Sequence, residues 1–270
     1  MIKKYKFLIA RRFTQISIMA LFVLANIYGL EILIGNLSSS LILKTIPLSD
    51  PYAVAQMLFA GAVLSFDVIL GALIVTIFYM LIGGRAFCSW VCPVNIITDS
   101  ANFLRRKLGF NQIQKKQPAS RSIRYFVIGI SFVISFFMGI TAFELISPVS
   151  MINRGIIFGL GFGWATMIVI FLFDLFVLKN GWCGHICPLG GFYSLIGRFS
   201  LIRVHHNAQN CTACMKCKEV CPENQVLFMV TKTSMPVLSG ECTNCGRCVE
   251  VCDDEALNFS IKKFKKGDIK

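Results

Sequence analysis

Two stretches near the C-terminal end share one cysteine rhythm. "CTACMKCKEVCP" sets Cys211, Cys214, Cys217 and Cys221 at C-x2-C-x2-C-x3-C, and "CTNCGRCVEVCD" sets Cys242, Cys245, Cys248 and Cys252 identically. No other feature restricts the fold as tightly, because eight thiols at such short intervals must converge on something. A disulfide framework would suit a short secreted chain. Here all 12 cysteines stand in Cys-x2-Cys or Cys-x3-Cys intervals beside Lys and Arg, which favours metal ligation on a reducing face. Structural zinc also uses Cys-x2-Cys pairs, but a third cysteine at the same interval, given twice, is poor spacing for one tetrahedral ion.

The rhythm is the pattern of bacterial two-cluster ferredoxins, in which three thiols of a run hold one iron–sulfur cluster and the fourth reaches the other. One [4Fe–4S] cluster is therefore assigned to Cys211, Cys214, Cys217 and Cys252, and the second to Cys242, Cys245, Cys248 and Cys221. Asp253 replaces the proline that follows the first run. Either residue suits the start of a helix, so a helix is expected there.

The rest of the chain is apolar. Of 270 residues 55% are hydrophobic and 15% charged, with a mean hydropathy of +0.67. Crossing a bilayer takes about 20 apolar residues. Four spans are expected: Phe13 to Gly35, "FDVILGALIVTIFYMLIGG", Tyr125 to Ile146, and about Ile156 to Leu178, with an interfacial helix near "PYAVAQMLFAG". The fold expected is thus an α-helical polytopic membrane protein of four transmembrane helices, residues 1–199. An α+β two-cluster ferredoxin domain follows over residues 200–270.

The net charge of +13 lies between the apolar runs, which argues for loop orientation rather than nucleic-acid binding. Lys3, Lys4, Lys6, Arg11 and Arg12 precede the first span. Arg85, Arg105, Arg106, Lys107, Lys115, Lys116, Arg121 and Arg124 separate the second and third, against Lys44 and Arg154 in the other loops. Both termini are expected in the cytoplasm, and the tail "KKFKKGDIK" is expected at anionic headgroups or in water. The first apolar run is too long for a signal-peptide core.

Two apolar runs end alike, in "GGRAFCSWVCPVN" and "NGWCGHICPLGG", each with Cys-x3-Cys-Pro (about 85–95 and 181–191). Spacing i, i+4 sets each pair on one helical face, and a weak internal duplication puts both motifs on the same side. Cys88, Cys92, Cys183 and Cys187 admit three readings: packing thiols, redox dithiols, or ligands of a third [4Fe–4S] cluster. Trp90, Trp182 and His185 flank these thiols as candidate quinone contacts, against interface anchoring or a backbone hydrogen bond. Gly83 and Gly84 permit a close approach, and Arg85 reads as a positive-inside anchor, with cluster tuning as the alternative. Glu31, Asp67 and Glu144 are expected near the far boundary, and Asp174 in an ion pair with Arg85 or a middle-loop arginine, with proton transfer as the alternative. His205 and His206 are expected at the surface.

Four spans, two Cys-x3-Cys-Pro motifs and a two-cluster tail closely resemble the NapH family, over nearly the whole chain. Those proteins are the ferredoxin-type membrane component of the quinol dehydrogenase serving periplasmic nitrate reductase. The resemblance implies a protein of the bacterial inner membrane that takes electrons from menaquinol or ubiquinol and passes them on with a NapG-like iron–sulfur partner. The same motifs occur in factors that assemble respiratory metalloenzymes, so an electron-donating biogenesis factor is an alternative, as is a redox-sensing membrane regulator.

Overall fold

The computed structural model describes residues 5–29, 31–110, 120–158, 161 and 163–261. Lys3, Lys4, Lys115, Lys116 and the basic tail lie outside them. The first helix, α1 (Lys6–Tyr28), ends well before the expected boundary at Gly35. An antiparallel meander follows, β1 (Leu33–Gly35), β2 (Ser39–Ile42) and β3 (Ile46–Ser49), paired in that order with Ser39 opposite Ser49. Strands of three and four residues are too short to show a period in the sequence, and β1 occupies the last three positions of the expected first span. Asp50 then accepts the Tyr52 backbone N–H at 3.4 Å and caps α2 (Pro51–Phe59), with proline at its first position.

Helix α3 (Phe66–Ile82) leads to the short α4 (Ala86–Trp90), and Pro93 then opens α5 (Val94–Lys107). The third apolar run is helical only as α6 (Ile123–Met138). Gly139 closes it at φ +65, a left-handed cap that costs an L side chain more than glycine, and α7 (Ala142–Ile146) is separate. The fourth run is also interrupted. It comprises the end of α8 (Pro148–Phe158), then α9 (Gly163–Leu172), which widens into a π-turn over Phe173–Val177. A second π-turn, Trp182–Ile186, carries the later motif, and α10 (Pro188–Ile196) starts at its proline. Both π-turns close through five-residue bonds, Leu178 N–H to Phe173 O at 3.1 Å and Cys187 N–H to Trp182 O at 2.9 Å.

Among the described residues one helix, α1, is long and apolar enough to cross a membrane, while Phe66–Ile82, Ile123–Met138 and Gly163–Val177 are shorter apolar helices. Many of their large side chains are exposed, including Phe66, Phe78, Phe126, Phe136 and Phe137.

After α10 the chain forms β4 (Ile202–His206), α11 (Lys216–Val220), β5 (Met235–Pro236), α12 (Arg247–Glu250) and β6 (Leu257–Ile261). The sheet order is β5-β4-β6, antiparallel, with Ile202 opposite Ile261 and His206 opposite Leu257. No helix begins at Asp253. The chain turns there into β6, and Asp253 instead accepts Lys216 Nζ at 2.9 Å on the surface.

The chain divides into two compact units. One is drawn from Met1–Arg11, Phe78–Ser89 and Tyr193–Lys270, the other from Arg12–Ile77 and Trp90–Phe192. The core of the first is built from Val204, Val226, Leu227, Met229, Val230, Val237 and Leu257, into which cysteines of both runs pack.

Candidate iron–sulfur centres

The two cysteine runs fold alike. In each, the second and fourth residues after the leading cysteine are left-handed: Ala213 and Met215 at φ 60, Asn244 at φ 47 and Gly246 at φ 75. Alternating hand turns successive backbone N–H groups toward one concavity, an arrangement that favours negative charge. A short helix follows each loop and carries the third cysteine, Cys217 in α11 and Cys248 in α12. The fourth leaves its helix, Cys221 in an extended conformation (φ −70, ψ 127).

This exit exchanges the fourth thiols. Cys211, Cys214, Cys217 and Cys252 line one cavity. Cys242, Cys245, Cys248 and Cys221 line the other. Each cavity thus takes three thiols from one run and one from its partner run.

The donor set fits a cluster better than a single ion. Among the described residues no three His, Cys, Asp or Glu side chains are gathered closely enough to hold one metal ion. Four thiols instead surround each of two spaces. Burial pushes the Cys242 thiol up to about 11, and raises Cys248 and Cys217 above the usual thiol range. Thiolates so placed need positive charge at the centre, which bound iron would supply.

His206 corrects the surface expectation. It is fully buried, its Nδ1 lies 2.9 Å from the Thr233 carbonyl, and it lines the first cavity. The alternation of β4 turns it inward, whereas its neighbour His205 is half-buried. Arg85 is likewise no exposed anchor. At 1% exposure it forms an ion pair with Glu223, itself 2% exposed and on the wall of the second cavity. Arg203, absent from the sequence reading, is buried too. Its guanidinium donates to the carbonyls of Gly197, Arg198, Ser200, Val237 and Ser239, which ties β4 to the approach to Cys242.

The earlier cysteine pairs have their own supports. Cys88 lies in α4, within the unit that holds the ferredoxin runs. In the helical unit, Gln15 Nε2 donates to the Cys92 carbonyl at 3.1 Å, and Arg12 donates to Gln15 Oε1 at 2.7 Å while pairing with Asp99. Cys92 lies beyond the end of α4, and Cys183 sits in a π-turn that Cys187 leaves in an extended conformation, so neither pair stands on a regular helical face. Trp90 and Trp182 are half-buried and His185 is buried.

Among the described residues Asp174 pairs neither with Arg85 nor, through its carboxyl group, with a middle-loop side chain. Its Oδ1 accepts the Trp182 backbone N–H at 3.0 Å, and Arg105 Nη1 donates to its backbone carbonyl at 2.9 Å. Arg124 Nη1 donates to the Gly184 carbonyl at 3.3 Å, and Asn102 Nδ2 to Asn180 Oδ1 at 2.6 Å. Arg105 and Arg124, read from sequence as loop charges, are thus buried braces of the second motif. Glu144 accepts the hydroxyls of Ser38 and Ser150 at 2.7 and 2.6 Å, and Glu31 pairs with Lys44.

Comparison with known proteins follows the same division. Residues 203–253 match the family described as a 4Fe-4S dicluster domain. Residues 64–111 and 160–205, which hold the Cys-x3-Cys-Pro motifs, match one described as a 4Fe-4S binding domain. The chain is 42% identical over 244 residues to the methylamine utilization ferredoxin-type protein MauN of Methylorubrum extorquens, covering 89% of this chain and 84% of that protein. It is 45% identical over 224 residues to the ferredoxin-type protein NapH of Haemophilus influenzae, covering 82% and 77%. To NapH of Escherichia coli it is 42% identical over 226 residues, covering 83% and 78%. No solved structure matches.

Proposed function

The chain belongs to the family of ferredoxin-type proteins that includes NapH and MauN, and on that premise we propose that it is a membrane-bound electron-transfer subunit of a quinol dehydrogenase. It passes electrons from menaquinol or ubiquinol, with a NapG-like iron–sulfur partner, toward a periplasmic nitrate reductase. The observation that carries the reading is the pair of four-cysteine cavities with exchanged fourth thiols. Bound there, [4Fe–4S] clusters supply one-electron carriers whose potentials depend on charge, hydrogen bonding and exposure. Cys211, Cys214, Cys217 and Cys252 hold one, and Cys242, Cys245, Cys248 and Cys221 the other.

A third cluster is proposed at Cys88, Cys92, Cys183 and Cys187, the four thiols within the two matches to the 4Fe-4S binding family. Trp90, Trp182 and His185 flank these thiols and are the proposed quinol contacts. The chain's own part there is to bind a flat apolar ring and to accept a proton, for which His185 is suited.

Insertion into the bacterial inner membrane is supported by α1 and by the exposed aromatic side chains of the shorter apolar helices. Four spans, with both termini cytoplasmic, agree with the charge of the loops.

The test is direct. The protein is purified without oxygen together with its partner, and a quinol analogue is added. Bleaching of the cluster absorbance is the expected result. Clusters that dithionite reduces but no quinol analogue reduces would overturn the quinol reading. The likeness to MauN raises a second destination, methylamine metabolism. A deletion strain separates the two: the nitrate reading requires impaired growth on nitrate and normal growth on methylamine.

A further inference from the structure

Within the unit that holds the ferredoxin runs, the segment from Ile82 to Ser89 closes on the second run. Asn244 Nδ2 donates to the carbonyls of Ile82 and Ile202, each at 2.9 Å. Ser89 Oγ donates to the Thr243 carbonyl at 2.7 Å. Between these contacts Arg85 Nη1 donates to Glu223 Oε1 at 2.5 Å and to the Glu241 carbonyl at 3.0 Å. Glu241 precedes Cys242, and Glu223 stands two residues after Cys221. The buried pair is therefore tied to two of the four thiols around one cavity. Glu223 forms part of that cavity's wall and does not line the other.

Charge so placed acts asymmetrically on the two centres. Water screens it little, and its influence weakens with distance. Reducing a cluster adds one negative charge, which a neighbouring guanidinium favours and a neighbouring carboxylate opposes. We infer that Arg85 and Glu223 set the reduction potential of the cluster held by Cys221, Cys242, Cys245 and Cys248, with opposite sign, and leave that of its neighbour unchanged. The inference rests on the cluster assignment proposed above. Both are positioning residues, not ligands. Arg203 adds a further buried cation nearby, but its donors are spent on five carbonyls, so its removal would confound potential with folding.

The full chain, purified without oxygen, is titrated with dithionite and chemical mediators while the reduced clusters are followed by electron paramagnetic resonance. Iron per chain is measured on every sample. Arg85→Gln is expected to shift one reduction wave to lower potential and Glu223→Gln to shift the same wave higher. The double variant should return toward wild type. Arg85→Lys, which keeps the charge, should leave the wave in place. Cys245→Ser, a change at a ligand of that cluster, identifies which wave it is. Should Arg85→Gln lose iron, Glu223→Gln and Arg85→Lys still decide the matter. The inference fails if both substitutions shift the wave the same way, if neither shifts it, or if the other wave moves equally. No quinol enters the titration, so a protein that shows the pattern and refuses quinol overturns the proposed function alone. Normal quinol oxidation with no wave displaced overturns this inference alone.

Discussion

Asp174 holds the Trp182 backbone N–H on its Oδ1 at 3.0 Å, so one carboxylate spans eight residues and closes the turn that leads into Cys183. Arg105 steadies the same residue by donating to the Asp174 carbonyl. Removing one partner of a buried hydrogen bond and leaving the other unsatisfied costs about 1–3 kcal/mol. Asp174→Ala should therefore cost about 2 kcal/mol in a thermal or urea melt in detergent. Asp174→Asn keeps an acceptor and should cost clearly less. Equal losses from the two would show that the bond to Trp182 does not matter.

The exchange of fourth cysteines makes two single substitutions act at a distance. Cys252→Ala should expose Cys211, Cys214 and Cys217 to alkylation while Cys242, Cys245 and Cys248 stay protected, and Cys221→Ala should do the reverse. Each should remove about 4 irons per chain. Mass mapping of iodoacetamide adducts reads the outcome. Labelling confined to the mutated run's own cysteines would mean that each run holds its own cluster.

The two-run ferredoxin pattern was legible in the sequence because the determinant is local. Interval and backbone hand act within a dozen residues, and the chain states them directly. The partner of Arg85 was not legible. Glu223 lies 138 residues away, and nothing in "GGRAFC" distinguishes a loop arginine from a buried one. His206 is hidden for a related reason, since a histidine at the end of a short strand has no inner or outer side until that strand pairs with β6. The long apolar runs were seen, but their interruptions were not. Hydropathy does not register the left-handed cap at Gly139 or the π-turn after Leu172.

If Cys88, Cys92, Cys183 and Cys187 share a third cluster, Cys88→Ala and Cys183→Ala should each lower the iron content from about 12 to about 8 per chain. The ferredoxin clusters should remain reducible by dithionite. About 8 irons in the unaltered protein would return these thiols to a packing or dithiol role.

Gly84 and Gly129 should respond in opposite ways to alanine. A Cβ on Gly84 would stand 2.0 Å from the Tyr193 carbonyl oxygen and 2.4 Å from the Gly197 nitrogen, both backbone atoms that cannot rotate aside. Overpacking of this sort costs about 1–3 kcal/mol or more, and Gly84→Ala should lose iron along with stability. Around Gly129, in α6, nothing lies within 4 Å of the added carbon. There alanine should be neutral or stabilise by up to about 1 kcal/mol through helix propensity. Thermal melts of the two variants against the parent provide the check.

The segment from Ile82 to Ser89 contributes hydrogen bonds, a buried charge and a close glycine contact to a ferredoxin unit whose cysteine runs begin at Cys211. A gene fragment encoding residues 200–270 alone would consequently be an incomplete cassette. Recombination that replaced the tail with a ferredoxin from elsewhere would also have to replace "GGRAFCS", so the two pieces of the gene are bound to change together.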